Sequence, residues 1–322
     1  MQKGMEALPQ DWNMLEPNRE GRSVFLAIVG RPNVGKSSLL NRMLGQKVAI
    51  VSSKPQTTRT RIMGVLTEGE DQLVFLDTPG LNKPHSRLDE YMARSVTESV
   101  AGVDVCLLVT EAGAPVSHAD RDLLERCRAQ QLPAVLAINK IDTLKDKSAL
   151  MAQIAEWNAL YPFEAVVPVS AQDGSGIQSD LIPELKKLCQ PGGHFFDADT
   201  LTDQPERVLA GEMIREKLLR LLEKEIPHGA AVAVERMRER DDGSGITDVD
   251  ATIFCEKENH KAIIIGKGGS MLKKIGSYAR ADMERFFGCK INLKLWVKVK
   301  EDWRNREAVL RSLGYDKTDF NL

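Results

Sequence analysis

One octapeptide near the start of the chain has the residue types and spacing of a phosphate-binding loop. Residues 30–37 read Gly-Arg-Pro-Asn-Val-Gly-Lys-Ser, which fits G-x-x-x-x-G-K-[ST]. Glycines let backbone N–H groups turn toward phosphates, and the following helix adds its positive dipole end. Lys36 would reach the β- and γ-phosphates, and the Ser37 hydroxyl would coordinate Mg²⁺. Because an apolar run precedes the loop and a helical pattern over Ser38–Leu44 follows it, we expect a nucleoside triphosphate site here.

Three further segments follow predicted strands and would complete a guanine-nucleotide site. In Asp77–Gly80 the acid can hold Mg²⁺ through water, and the glycine N–H can meet the γ-phosphate. In Asn139–Asp142 the terminal carboxylate can accept both N1–H and N2–H of guanine, a donor pair that adenine lacks. The Asn139 side chain would tie the base to the P-loop, and Ser170-Ala171 would supply a backbone N–H to guanine O6. The pattern therefore favours GTP over ATP.

The order of these segments resembles the guanine-nucleotide motifs of the translation-factor-related GTPases. That resemblance implies a mobile switch loop at Pro55–Arg59, with a threonine that closes on Mg²⁺ when the γ-phosphate is present. Alignment to the family favours Thr58 and leaves Thr57 as the alternative. Leu81 stands where Ras-like proteins have a water-orienting Gln, so we expect slow intrinsic hydrolysis. In related GTPases an Asn at the position of Asn33 accompanies a K⁺ ion that substitutes for an arginine finger.

The site residues follow from these assignments. The residues expected to bind GTP are Gly30, Arg31, Pro32, Asn33, Val34, Gly35, Lys36, Ser37, Ser38, Asp77, Thr78, Pro79, Gly80, Asn139, Lys140, Asp142, Ser170 and Ala171. The catalytic set is Lys36, Thr58, Gly80 and Asn33, and the Mg²⁺ set is Ser37, Thr58 and Asp77. The expected cofactors are Mg²⁺ and K⁺.

The C-terminal region has the charge and the turn of a nucleic-acid module. Between Lys257 and Lys300 eleven Lys or Arg stand against three acids, a local charge of +8 in a chain of net charge −2. Gly266–Gly269 follows an apolar Ile run and precedes an amphipathic helix, and a G-x-x-G turn lets a single-stranded backbone lie close to the protein. The element order αββααβ then indicates a type II KH domain. Its expected RNA-binding residues are Gly266, Lys267, Gly268, Gly269, Lys273 and Lys274.

A GTPase followed by a type II KH domain resembles the Era family. The resemblance extends over almost everything after residue 22 and includes Ile-Arg-Glu-Lys-Leu-Leu at 214–219. It implies binding to the 3′ end of 16S rRNA, a role in assembly and maturation of the 30S subunit, and peripheral association with the cytoplasmic membrane. The alternative is a signalling GTPase whose basic domain recruits it to a membrane or a protein partner. A purely structural protein is disfavoured, because the nucleotide motifs are intact.

Alternating apolar runs and helical patterns define the fold class. They predict an α/β P-loop domain with a mostly parallel sheet and one antiparallel edge strand, followed by the α+β KH domain. The expected boundaries are a tail at 1–22, the GTPase domain at 23–189, a linker at 190–205 and the KH domain at 206–322. The sequence has no apolar run near the roughly 20 residues of a membrane span and no signal-peptide pattern. We therefore expect a cytoplasmic monomer with free thiols.

Overall fold

The apolar runs of the N-terminal part form one sheet in the computed structural model, which describes residues 21–80, 86–146 and 148–315. The strands are β1 Arg22–Val29, β2 Ile62–Glu68, β3 Asp71–Asp77, β4 Val105–Glu111, β5 Ala134–Asn139, β6 Ala165–Pro168 and β7 Gln190–Pro191. Their order in the sheet is β2-β3-β1-β4-β5-β6, with β7 beside β1. Strand β2 is antiparallel to β3, and β3, β1, β4, β5 and β6 run parallel to one another.

Helices cover both faces of this sheet, which explains why its central strands are apolar almost throughout. Every residue of β3 and β5 is buried. One hydrophobic cluster joins α1 to one face of the sheet, and a second joins α3 to the other. The helices are α1 Lys36–Leu44, α2 Arg87–Ala101, α3 His118–Ala129, α4 Ser148–Leu160 and the short α5 Ile182–Lys186. The P-loop, Asp77, Asn139 and Ser170 consequently meet at the carboxyl edge of the sheet.

The segment expected to be a linker lies against the antiparallel edge of the sheet. Its first residues, in β7, pair with β1. The Gln72 side chain then accepts from Phe195 N at 2.8 Å and donates to Phe196 O at 2.8 Å, and Val65 N donates to Leu201 O at 2.9 Å. The boundaries at 190 and 205 stay predictions.

The C-terminal region has the expected order αββααβ. Its three-stranded sheet has the order β10-β9-β8, with β10 parallel to β9 and β8 antiparallel to it. The elements are α6 Glu206–Leu221, β8 Ala231–Glu239, β9 Ile246–Cys255, α7 Glu258–Ile265, α8 Ser270–Phe287, β10 Lys290–Val299 and a final helix α9 Glu307–Ser312. The apolar spacing of the sequence predicts a helix over Glu206–Glu225, and α6 ends four residues earlier, at Leu221. Across the described ranges, no helix combines the length and apolarity needed to cross a bilayer.

Helix α6 departs from the expected one-sided amphipathic pattern. Val208, which belongs to its apolar spacing, is 39% exposed. Arg215, Glu216 and Lys217 are buried instead, because the helix packs against its own sheet on one side and against the GTPase domain on another. Arg215 and Glu216 thus lie at an interface between the two domains, which the spacing of apolar residues along the helix cannot reveal.

Candidate nucleotide and RNA sites

Lys36 is held inside the P-loop in the position from which it would meet phosphates. Its Nζ donates to Gly30 O at 3.0 Å and to Arg31 O at 3.1 Å. Burial lowers the pKa of the Lys36 ammonium to about 8, against the attraction of Asp77, which raises it. Gly35 has φ +99°, and a Cβ there would collide with the Asn139 amide, so the loop needs a glycine at this position. A bound phosphate would take the place of these two carbonyl oxygens as the acceptor for the Lys36 ammonium, and it would carry a full negative charge.

Three oxygen-bearing side chains of the Mg²⁺ prediction are in mutual contact. Ser37 Oγ donates to Asp77 Oδ2 at 2.6 Å and lies 2.8 Å from Thr58 Oγ1. Thr58 Oγ1 is 3.4 Å from the same carboxylate oxygen. Burial raises the pKa of Asp77 to about 6, although Lys36 and the two hydroxyl groups oppose this. Asp77 Oδ1 is buried without a hydrogen-bond partner among the described residues, so a hard cation fits this set of donors.

The geometry also separates the two threonines of the switch loop. Thr58 is 7% exposed and contacts Ser37 and Asp77. The Thr57 hydroxyl turns back into its own loop, where it donates to Lys54 O at 2.6 Å and lies 2.9 Å from Ser52 Oγ. The arrangement therefore favours Thr58 as the Mg²⁺ ligand.

The base-recognition loop is joined to the P-loop through one buried amide. Asn139 Nδ2 donates to Val34 O at 2.8 Å, and its Oδ1 accepts from Ala171 N at 2.9 Å. Ser170 Oγ donates to Asp142 Oδ1 at 2.6 Å, which orients the carboxylate expected to read guanine. The side chain of Asn139 thus connects all three loops at the carboxyl edge of the sheet.

Ser170-Ala171 was expected to supply one backbone N–H to guanine O6, and the N–H groups of both residues already have acceptors within the protein. Ser170 N donates to Ser175 O at 2.9 Å, and Ala171 N donates to Asn139 Oδ1. A bond from Ala171 N to guanine O6 would have to be shared with the Asn139 oxygen. For Ser170 the structure suggests a different role, in which its hydroxyl orients Asp142.

The remaining predicted residues surround or support one cleft of about 540 Å³. Thr78 Oγ1 donates to Ile28 O at 2.8 Å and so fixes the end of β3. Arg31 pairs with the buried Asp120 at 3.5 Å. Leu81 lies outside the described residues. The predicted residues that line the cleft are Pro32, Asn33, Gly35, Lys36, Ser37, Ser38, Thr58, Gly80 and Lys140.

The G-x-x-G turn stands open at the head of α8. Gly268 and Gly269 have φ +58° and +79°, and a Cβ at either would meet no atom of the described residues within 4 Å. Lys267, Lys273 and Lys274 are all exposed. The turn therefore offers a bare backbone with ammonium groups nearby, which suits the sugar-phosphate chain of a single strand.

Comparison with known proteins decides the family. The family model described as 50S ribosome-binding GTPase matches residues 25–140, and the KH domain model matches residues 225–304. GTPase Era of Ruminiclostridium cellulolyticum is 47% identical over 300 residues, which cover 93% of this chain and 99% of the relative. GTPase Era of Clostridioides difficile is 46% identical over 295 residues, which cover 92% and 99%. The chain belongs to the Era family of GTPases.

Solved Era structures share the fold along nearly the whole chain. An Aquifex aeolicus Era variant bound to GDP and AlF4⁻ has a TM-score of 0.87 at 36% identity, covering 91% of this chain and 99% of its own. An Era complex with MgGDPNP and nucleotides 1506–1542 of 16S ribosomal RNA also has a TM-score of 0.87 at 36% identity, covering 92% and 99%. The predicted fold class and the predicted GTPase activity are therefore confirmed.

Sequence reasoning about this Era-family chain missed several residues around the switch loop. Arg59 and Arg215 are each 1% exposed, and Glu216 is fully buried. Arg59 lies inside the switch motif, and the other two lie in the segment 214–219 that carried part of the family resemblance. The family resemblance therefore pointed to the segments that contain these residues. It could not show that their charges are buried, because burial depends on the surface that packs against them.

Proposed function

We propose that this Era-family GTPase is a GTP-controlled switch that binds the 3′ end of 16S rRNA through its KH domain and assists assembly and maturation of the 30S subunit. The observation that carries the RNA part is the G-x-x-G turn, open at Gly268 and Gly269 and accompanied by exposed lysines. The Era relative solved with nucleotides 1506–1542 of 16S rRNA supports the choice of RNA.

Hydrolysis would use the side chains that already meet at the sheet edge. Lys36 would hold the β- and γ-phosphates, and Gly80 N–H would face the γ-phosphate. Mg²⁺ would be held by Ser37, Thr58 and Asp77, and when bound it neutralises the charge that develops on the phosphate oxygens. Asp77 Oδ1, which has no hydrogen-bond partner in the part of the chain that the structure describes, supports this assignment, as does the MgGDPNP in the solved relative. Asp142, oriented by Ser170, would select guanine.

Two further assignments belong to the same proposal. The exposed Asn33 at the mouth of the cleft would help to hold a K⁺ ion that supplies positive charge in place of an arginine finger. We also propose that the protein works as a cytoplasmic monomer with peripheral contact to the membrane.

RNA crosslinking in the presence of GTP and of GDP tests the central proposal. We expect the full-length protein to recover RNA containing the 3′ end of 16S rRNA, in an amount that depends on the nucleotide. Gly268→Asp should abolish recovery, because it places a charged side chain in the bare turn, at a backbone angle that favours glycine. Gly243→Asp is the matched control, since Gly243 has φ +72° and open space in the β8–β9 loop.

The outcomes separate the proposal from its alternative. RNA recovery at background, with no effect of Gly268→Asp, would reject an RNA-binding KH domain. Binding of the same protein to anionic vesicles under those conditions would then favour the membrane-recruited signalling GTPase.

A further inference from the structure

Helix α6 of the KH domain holds the backbone of the switch loop through one buried arginine. The Arg215 guanidinium donates through Nη2 to Thr57 O and through Nη1 to Gln56 O at 3.4 Å. Glu212 accepts from the same guanidinium at 2.7 Å and 2.6 Å. Arg215 is 1% exposed, so water does not compete for these bonds.

The same helix also holds the residues that lead into the switch loop. Val51 N donates to Glu216 Oε1 at 3.1 Å, and Val51 O accepts from Arg220 at 3.1 Å and 3.0 Å. Lys54 Nζ donates to Leu222 O, just beyond the end of α6. Helix α6 therefore holds residues 51–57 through main-chain atoms of Val51, Gln56 and Thr57, and the Lys54 side chain adds a bond between them.

A third contact lies immediately after the Mg²⁺-ligand candidate. The Arg59 side chain donates to Ala230 O and to His228 O, both at 2.8 Å. Its guanidinium carbon lies 5.6 Å from the centre of the Trp303 ring. These acceptors and this ring belong to the C-terminal region. The C-terminal region therefore contacts the switch loop both immediately before Thr58, at Thr57, and immediately after it, at Arg59.

We propose that Arg215 is a positioning residue for Thr58, so that the KH domain sets the Mg²⁺ ligand of the GTPase site. The carbonyl that Arg215 binds belongs to the same planar peptide unit as the N–H of Thr58. Holding that plane, together with the anchored Arg59, orients the Thr58 side chain toward Ser37 and Asp77. The inference rests on the proposed role of Thr58 in binding Mg²⁺.

The contacts also connect α6 with the RNA-facing helix. Lys47 of the GTPase domain and Lys217 of α6 both bind Glu216, at 2.5 Å and 2.6 Å. Both ammonium groups also pair with Asp282 of α8, the helix that begins at the G-x-x-G turn. A shift of α8 on binding RNA would thus act on the element that holds the Thr58 peptide.

The test measures GTP hydrolysis against Mg²⁺ concentration. We expect Arg215→Ala to raise the Mg²⁺ concentration needed for half-maximal activity about tenfold, the effect of losing one charge-assisted hydrogen bond. Arg215→Lys keeps the charge without the two-pronged geometry and should fall in between. Arg207→Ala, an exposed arginine on the same helix, should change nothing. In a Thr58→Ala background, Arg215→Ala should not change the Mg²⁺ dependence further, because Arg215 acts only by positioning Thr58.

Hydrogen exchange of the full-length protein supplies a readout that does not depend on hydrolysis. Arg215→Ala should increase exchange at residues 51–59 and leave β8 and β9 protected. Unchanged exchange at 51–59, or effects of Arg215→Ala and Thr58→Ala on Mg²⁺ dependence that simply add, would overturn the proposal. If Thr58→Ala alone leaves the Mg²⁺ dependence unaltered, the Mg²⁺ role of Thr58 fails and this inference fails with it. RNA binding and GTPase activity would still stand.

Discussion

Single side chains in the nucleotide site each join several backbone segments. Asn139 bonds both the P-loop and the loop after β6, and Ser37 contacts the switch loop and the end of β3. Asn33 differs, because it is exposed and in the left-handed region at φ +64°. An exposed residue in that conformation, at the mouth of a phosphate cleft, is free to bind a ligand.

Replacing Asn33 tests the K⁺ proposal. The unaltered protein should hydrolyse GTP roughly tenfold or more faster in K⁺ than in Na⁺ of equal concentration. Asn33→Gly should remove this difference in rate. Glycine keeps the positive φ and removes only the amide, which Asn33→Ala does not do. Asn158→Ala on α4 is the exposed control. Equal rates in the two salts, or K⁺ stimulation that survives in Asn33→Gly, would contradict the proposal.

At the scale of elements, α6 serves two domains at once. Its apolar residues complete the KH core with α8 and β9, while Arg215, Glu216 and Arg220 contact the GTPase domain. Burial alone would raise the pKa of Glu216, but the ammonium groups of Lys217 and Lys47 hold it below its ordinary value. The ionised carboxylate therefore contributes to stability.

Glu216→Gln should destabilise the protein by about 3 kcal/mol at pH 7, because it removes one partner of a buried ionic cluster. Since the pKa of Glu216 is lower in the folded than in the unfolded state, this contribution is present above the unfolded pKa of about 4.3 and is lost as pH falls through the folded value. Urea unfolding at pH 7 and below pH 4 measures both effects. Glu206→Gln, an exposed change on the same helix, should stay within about 0.5 kcal/mol. A pH-independent difference would contradict the ionic origin.

At the scale of the whole molecule, the contacts of α6 connect the nucleotide site with the KH domain. Any nucleotide state that moves the switch loop must alter or break its bonds to Arg215, Glu216 and Arg220. Coupling between sites is reciprocal, so an effect of GTP on RNA affinity requires an equal effect of RNA on GTP affinity.

Binding titrations test this coupling. We expect the affinity for an RNA of nucleotides 1506–1542 to differ between the GTP-analogue and GDP states by about 5- to 150-fold. The same factor should appear when nucleotide is titrated with and without the RNA. Arg215→Ala should move the factor toward one, and Arg207→Ala should leave it unchanged. Equal RNA affinities of the unaltered protein in the two nucleotide states would contradict coupling between the two sites.

The fold class, the nucleotide loops and the G-x-x-G turn could all be predicted from the sequence. Each of these depends on local spacing: Gly35 and Lys36 define a turn between a strand and a helix, and carboxyl ends of parallel strands must share one edge. Alternation of polar and apolar residues over Lys290–Val299 predicts a strand with the bounds that β10 has, because such alternation is a local signal.

How the GTPase domain and the KH domain meet could not be predicted from the sequence and is seen only in the folded chain. The contacts of Arg215 with Thr57 and of Arg59 with Ala230 join residues more than 150 positions apart, and periodicity carries no information about such a docking. For the same reason the sequence could not show that Arg215 and Glu216 are buried, and it left both Thr57 and Thr58 as candidates for the Mg²⁺ ligand. Burial is a property of the surface that covers a residue, and for α6 that surface belongs to the other domain.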